Sequence, residues 1–305
     1  MATLVEGEHI DPLTGAYTPE RVNYATGIML QADDFEAEQT YHRGRLAQLM
    51  RHLMGFGTLS GLKVLAPPPE NNLLEIRVQP GIAVDRYGRL IEIQSPQCIE
   101  VGRWFAAQSQ SRLRISTHNK PRTALDKAVV ADIFLSAHGC GRGKTPSFAT
   151  GPFDALDALV SARVAENPKL ELVLRCEGNP DPDRPLSAGA QPGDIPKPQN
   201  FWPKAGTDAK AQLDAVMGSW DHGAADSANE NLKPLAEHVW NQEFSAILLA
   251  RIAIPVTVKV EMDNSVSPPR EVTVTTFDPS KQMLVDNSIR PFIYLPGKWF
   301  GQALT

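Results

Sequence analysis

Residues 73–94 read LLEIRVQPGIAVDRYGRLIEIQ. Leu74, Ile76 and Val78 alternate with Glu75 and Arg77, the two-residue period of a strand with one buried face. Pro80-Gly81 marks a turn, and IAV–DRYG–RLIEIQ reads as a hairpin turning over Asp85 to Gly88. Its polar side chains are expected to point outward. Gly (22) and Pro (25) are generous and aromatics only 7%, which favours a turn-rich, strand-rich protein over a helical bundle.

Upstream, DDFEAEQTYHRGRLAQLMRHLM (33–54) reads as the best helix in the chain. Asp33 is the expected N-cap. Asp34, Glu36 and Glu38 load the first turns with negative charge, and Arg43, Arg45, Arg51 and His52 load the later turns with positive charge, as the helix dipole prefers. Leu46, Leu49, Met50 and Leu53 form an apolar stripe. Such a stripe covers a partner or, more commonly, the protein's own sheet. Gly55 stops the helix, and Gly55, Gly57 and Gly61 allow a tight corner into a strand, GTLSGLKVLA (57–66).

Downstream, CIEV (98–101) and RLRIST (112–117) are expected to add strands, and VVADIFLSA (129–137) and LELVLRC (170–176) to be buried ones. DALDALVSARVAE (154–166) suggests a short helix. Residues 178–206 hold seven prolines and little apolar content, reading as a surface insertion or linker. Residues 207–243 lean helical. FSAILLARIAIPVTVKVEM and REVTVTTF form a long hairpin around DNSVSPP, and NSIRPFIYLPGKWFGQALT closes the chain. The fold class is therefore mainly β (α+β): a sandwich-like, hairpin-rich domain with one strong N-terminal helix. Residues 1–177 form that helix and a β-rich domain, 178–243 the proline-rich and helical insertion, and 244–305 the strands that complete the β domain.

HGCGRGKT (138–145) follows a strand and ends in Gly-Lys-Thr, as a nucleotide-phosphate loop does. The motif needs a glycine where His138 stands and a helix after the lysine, where Pro146, Gly151 and Pro152 oppose one. A polar loop between two strands is the expectation. No HExxH and no GxSxG occurs, and the seven histidines are scattered. Asp181 and Asp183 lack a third ligand nearby, and Cys98, Cys140 and Cys176 fit neither a disulfide framework nor a metal site. No catalytic residue, cofactor or metal is expected. Net charge is −5 and pI about 5.8, which offers no basic face to nucleic acid. MATLVEGEHIDP does not read as a signal peptide, and no run approaches the length of a membrane helix. Synthesis in a reducing cytoplasm is expected.

RVNYATGIMLQADDFEAEQTYHRGRLAQLMRHLMGFGTLSGLKV (21–64) resembles the opening of a family of proteins encoded with contractile injection systems and phage-like tail particles. The residues that carry the likeness are Gly27, Leu30, Phe35, Tyr41, His42, Leu53, Gly55, Gly57, Ser60, Gly61 and Leu62. VQPGIAVDRYGRLIEI (78–93) is similar to the family's next element, a strand, Pro-Gly and an Asp…Gly-Arg hairpin. GIMLQADDFEAEQTY is also similar, more weakly, to the start of the type VI secretion baseplate protein, whose N-terminal part is related to the shoulder of phage receptor-binding proteins. LLARIAI (248–254), DNSIRPFIY (286–294) and the Cys-Gly-rich stretch are looser matches, and only Cys140 remains where the family often has more cysteines.

The resemblance implies a structural component docking at a baseplate or tail beside other tail proteins, assembled from the cytoplasm into the particle. It implies a homo-oligomer, a trimer by the shoulder analogy. A fibre or receptor-contacting adaptor of the same particle is the alternative. A nucleotide hydrolase using Lys144, or a carbohydrate-active protein, is the alternative from another class. Phe292, Tyr294, Trp299 and Phe300, crowded near the chain end, are the candidate partner-interface residues, since aromatic anchors populate interface cores. A last strand covering its own core is the competing reading.

Overall fold

The computed structural model describes residues 8–9, 11–15, 20–68, 74–122, 125–146, 159–175, 232–239, 242–263 and 270–293, with 195, 198, 208, 210, 211 and 214 besides. The protein is mainly β. Among the described residues the order is β1 (Glu8–His9), a 3-10 turn (Pro12–Thr14), α1 (Ala32–Met54), β2 (Gly57–Gly61), β3 (Val64–Leu65), β4 (Glu75–Val78), β5 (Gly81–Val84), β6 (Leu90–Ile93) and β7 (Gln97–Glu100). Then come α2 (Val101–Ala106), α3 (Gln110–Ile115), β8 (Thr117–Arg122), β9 (Leu125–Pro146), β10 (Leu159–Leu174), β11 (Ile247–Asp263), β12 (Arg270–Phe277) and β13 (Leu284–Asp286).

The strand over 75–78 and the hairpin of residues 81–93 form as their sequence dictates. Leu74, Ile76 and Val78 are buried, and β5 pairs with β6 from Gly81↔Ile93 to Val84↔Leu90. Strand 57–66 is instead two strands. Leu62 takes a positive φ of 55° and turns the chain between β2 and β3. Gly61 and Gly81 lie back to back there: a β-carbon on Gly61 would stand 2.2 Å from the Pro80 carbonyl oxygen, and one on Gly81 2.3 Å from that of Ser60.

Two three-stranded sheets, β2-β5-β6 and β3-β4-β7, accompany a seven-stranded sheet built on β9 and β11. Val129, Ala131, Ile133 and Leu135 of β9 share one core with Leu62, Val64, Ile76, Val78, Ile91 and Ile93 of the small sheets. That core fills one face of the large sheet. Phe134, Val173, Leu248 and Ile289 make a second cluster on the other face.

Five expectations are corrected. Residues 112–115 are the helix α3, not a strand: the Ser109 hydroxyl accepts the Arg112 N–H at 3.4 Å and caps it. Residues 159–166, expected helical, extend as β10 against β9. HGCGRGKT is no loop but the outer part of β9, with Lys144 opposite Ser161 and Thr145 opposite Val160. The hairpin turn 85–89 points inward, with Asp85, Arg86 and Arg89 all buried. Within the insertion, residues 210, 211 and 214 are helical, whereas 232–239 form neither helix nor strand and turn at 236–237, and Ile195, Leu232, Glu237 and His238 are buried rather than on the surface.

α1 begins at an N-cap Gln31, whose N–H donates to the Asp34 carboxylate at 2.8 Å, and ends at Gly55 as expected. The helix rests on the hairpin turn through its smallest residues, Gly44 and Ala47. Gly88 has a φ of 85°, and a β-carbon there would lie 1.9 Å from the Ala47 carbonyl oxygen. The expected outcome for Gly88→Ala is a loss of about 2–4 kcal/mol of stability, from overpacking plus backbone strain. Gly27 has a similar φ of 90° with open space around it, so Gly27→Ala should cost about 1 kcal/mol. Urea unfolding of the two variants checks this, and equal losses would contradict the contact.

Candidate interaction surface

The turn that carries α1 is a charged junction. Arg89 Nε donates to Asp85 at 2.7 Å, one Nη lies 3.3 Å from Asp11, and the other meets Ser245 Oγ at 3.4 Å and Glu243 at 3.6 Å. Asp85 also accepts the backbone N–H groups of Tyr87 and Arg89 at 2.9 and 2.8 Å. Burial works against the Arg89 charge, but the carboxylates of Asp85 and Asp11 outweigh it and hold its pKa above the ordinary value. Burial also works against the Asp11 charge, yet the Leu13 N–H, Arg43 and Arg89 hold its pKa low. Arg43 of α1 donates to Asp11 at 2.9 Å, and Arg86 donates to the carbonyls of Lys233 and Phe244 at 2.6 and 2.9 Å. One turn thus fixes the N-terminal segment, α1 and the chain entering β11.

With its small residues turned inward, α1 leaves its large ones outside. Phe35, Leu46, Leu49 and Leu53 are each about half exposed. Tyr24, Ile28 and, at 82%, Met29 continue the apolar surface along the lead-in to the helix. Scattered exposed leucines need no explanation, but a contiguous apolar face marks an interaction site. The stripe expected to cover the protein's own sheet therefore faces outward. The sequence carried a signal for this in Gly44 and Ala47, since close backbone approach selects small residues. On one side α1 overhangs an open groove of about 1480 Å³, shared with β6 and the outer parts of β9 and β10. Phe35 and Leu46 line it from the helix, Leu90 and Val164 from the strands.

Two ribbons add apolar surface. β9 pairs with β11 over residues 128–135 and with β10 out to residue 146. β11 runs on past Pro255, paired with β12 to Asp263. Because β9 and β11 are antiparallel, the ribbons extend from opposite ends of the shared sheet. Val164 on one and Val260 and Met262 on the other are half exposed or more. β1 adds a third strand to the first ribbon at residues 139–140, whereas beyond Pro255 the second has two, and two-stranded ribbons are only marginally stable alone in water.

The other face of the large sheet holds buried charge. Arg251 grips Asp132 with two hydrogen bonds of 2.7 and 2.8 Å, Arg175 lies 3.5 Å from the same carboxylate, and Arg175 donates to the Glu237 carbonyl at 2.6 Å. His238 sits between Phe134 and Phe244, with ring centroids 5.9 Å away on each side. Its Nδ1 accepts the Leu235 N–H at 2.9 Å, so Nε2 carries the proton and donates to the Ala246 carbonyl at 2.9 Å. Burial above all, then the nearby Arg86 and Arg175 charges, pushes its pKa down to about 4, and burial pushes the Glu237 carboxyl up. Carboxylate, histidine and arginine converge here as they do in reaction centres, but each is almost wholly buried and bonded to backbone or to its neighbour. Their work is to fasten segment 232–246 to the sheet.

Of the four aromatics near the chain end, Phe292 forms a parallel bridge with Thr58 and lies near the Arg290 guanidinium, 5.9 Å from ring centroid to Cζ. It is 44% exposed. Tyr294, Trp299 and Phe300 lie outside the described residues. Lys144 is exposed in an extended ladder with no helix start beside it, so the geometry that holds phosphate is missing there. Among the described residues no group of three or more His, Cys, Asp or Glu is arranged to hold a metal ion. Comparison with protein-family models and with the curated proteins finds no match for this chain.

His238 gives the fold a pH dependence. Its folded pKa of about 4 lies below the ordinary 6.5, so the unfolded chain binds the proton first as pH falls. Stability from this group is complete above about pH 6.5 and is lost on descending toward pH 4, by about 3 kcal/mol in all. Urea unfolding at pH 7 and pH 4.5 should show a smaller acid loss in His238→Asn than in the wild-type protein. Identical losses would mean that the ring does not titrate this way.

Proposed function

We propose that this protein is a structural component of a contractile injection system or phage-like tail, docking at the baseplate or tail through protein–protein interfaces. One observation carries the reading: apolar surface is left uncovered in two places at once, the outer face of α1 with the groove that Val164 shares, and the β11–β12 ribbon. A chain whose buried charges fasten its own segments, and which still leaves large apolar side chains on two outer surfaces, is built to be covered by neighbours. The resembling stretches 21–64 and 78–93 support it, because they supply α1, the hairpin under it and the Gly88–Ala47 contact between them. A later resembling stretch meets the first: the Asn287 amide pairs with both backbone groups of Val64 at 2.9 Å, and Arg290 donates to the carbonyls of Gly61 and Leu62 at 3.2 and 2.8 Å. In this reading the chain is made in the cytoplasm and joins the particle there, beside other tail proteins.

The test is to purify intact particles from cells that encode them together with an affinity-tagged copy of this chain. The tagged chain should sediment with sheath and tube. The double variant Val260→Asp/Met262→Asp, altered only at exposed ribbon positions, should fold and be depleted from particles. Complete particles lacking the wild-type chain would overturn the reading.

A further inference from the structure

The outer face of α1 carries a more specific pattern than an apolar stripe. Phe35, Gln39, His42, Leu46, Leu49 and Leu53 are spaced by alternating steps of four and three residues, and all six are exposed. That is the 3.5-residue period of a coiled-coil seam, which meets another helix and not a sheet. The buried Gly44 and Ala47 lie on the opposite side of the helix, and the seam residues stay exposed: Phe35, Gln39 and Leu46 border the groove beside β6, and His42, Leu49 and Leu53 lie outside it. From Phe35 to Leu53 the seam is about 27 Å long.

The flanking charges say what the other helix is. Glu36, Arg43 and Met50 border the seam on one side, and Glu38, Arg45 and His52 on the other. In a parallel, in-register pair, a residue on the second border faces the residue five places later on the partner's first border. Glu38 of one copy then faces Arg43 of the next, and symmetry repeats the pair. An antiparallel pair centred on the seam would set Arg43 against Arg43 and Arg45 against Arg45, which repel. Both members of the parallel pair are already ordered: the Tyr24 hydroxyl donates to Glu38 at 2.5 Å, and Arg43 is held by Asp11 at 2.9 Å. Ordering them costs little further side-chain entropy on association. Gln39 and His42 place a polar layer within the seam, a device that fixes register.

We propose that α1 is a self-association helix, and that its occupant is α1 of further copies of this chain, packed parallel and in register about a symmetry axis along the helix. This deepens the docking reading by naming the partner of one of its two surfaces. It is tested on the isolated protein, so its failure leaves the ribbons and their particle test untouched. Light scattering on the full chain at rising concentration should report a symmetric oligomer. Leu49→Glu/Leu53→Glu alters two side chains already half in water, so circular dichroism, and the thermal midpoint at concentrations where both proteins are monomeric, should hold while self-association weakens by at least about a hundredfold. Orientation is read by Leu53→Cys in a Cys98→Ser background. Mild oxidation should link copies through residue 53, because an antiparallel pair holds those two positions about 27 Å apart along the axis. A wild-type monomer at every concentration, an oligomer untouched by the double substitution, or an oligomer that does not cross-link through residue 53 would each overturn the proposal.

Discussion

Everything on the N-terminal side of this protein hangs on one turn of five residues, Asp85 to Arg89. A glycine is required where the helix lands, because the Ala47 carbonyl occupies the space of any β-carbon. An arginine is required next to it, because four groups from three chain segments converge on its guanidinium. Such buried ion pairs are poor sources of net stability, since desolvating the charges offsets most of their attraction. Their value is selectivity. An uncompensated Asp85 or Arg89 is costly, so arrangements that leave the helix or the β11 lead-in undocked are disfavoured. The molecule gains one defined placement for α1, and with it one defined orientation of the leucines outside.

The same device recurs elsewhere. Asp132 and Arg251 bind neighbouring strands on the face where residues 232–246 return, and Asn287 and Arg290 pin the segment after β13 to the corner at Leu62. Gln110 does it with a neutral amide, giving and taking hydrogen bonds at Thr275 as a neighbouring strand would. In each case a polar side chain substitutes for missing sheet neighbours and satisfies backbone or charge that would otherwise be stranded. Small sheets joined by long excursions need such fastenings, because their apolar cores alone fix position only loosely.

What could be read from the sequence follows a physical line. Period and punctuation are local, so the helix, the 81–93 hairpin and the β11–β12 pair were legible, including REVTVTTF to the residue. Pairing is not local. DALDALVSARVAE has good helix formers and HGCGRGKT looks like a loop, but residues 159–166 and 138–145 lie against each other as paired strands, which overrides their intrinsic preference. RLRIST alternates like a strand, yet Leu113 is the one apolar side chain in it that is fully buried, and the capping serine lies outside the pattern. DRYGR was recognised as a turn but not as a junction, because the residues that bury it come from segments far along the chain. The outward leucines of α1 were visible as a stripe. Which way the stripe faced depended on Gly44 and Ala47, whose contact lies in another element.

β9 is a single strand of 22 residues, about 70 Å of nearly extended chain. β10 is laced to its outer end and β11 to its middle, while β12 is laced to the opposite end of β11. Antiparallel hydrogen bonds lie across the strand direction. A pull along the strands therefore loads many of these bonds at once in shear, instead of peeling them one by one. A force arriving at the tip of one ribbon reaches the tip of the other through overlapping ladders, with no loop in series between them. The protein is in effect a tie-rod: stiff along the β9–β11 direction and much more readily opened by a force directed across it.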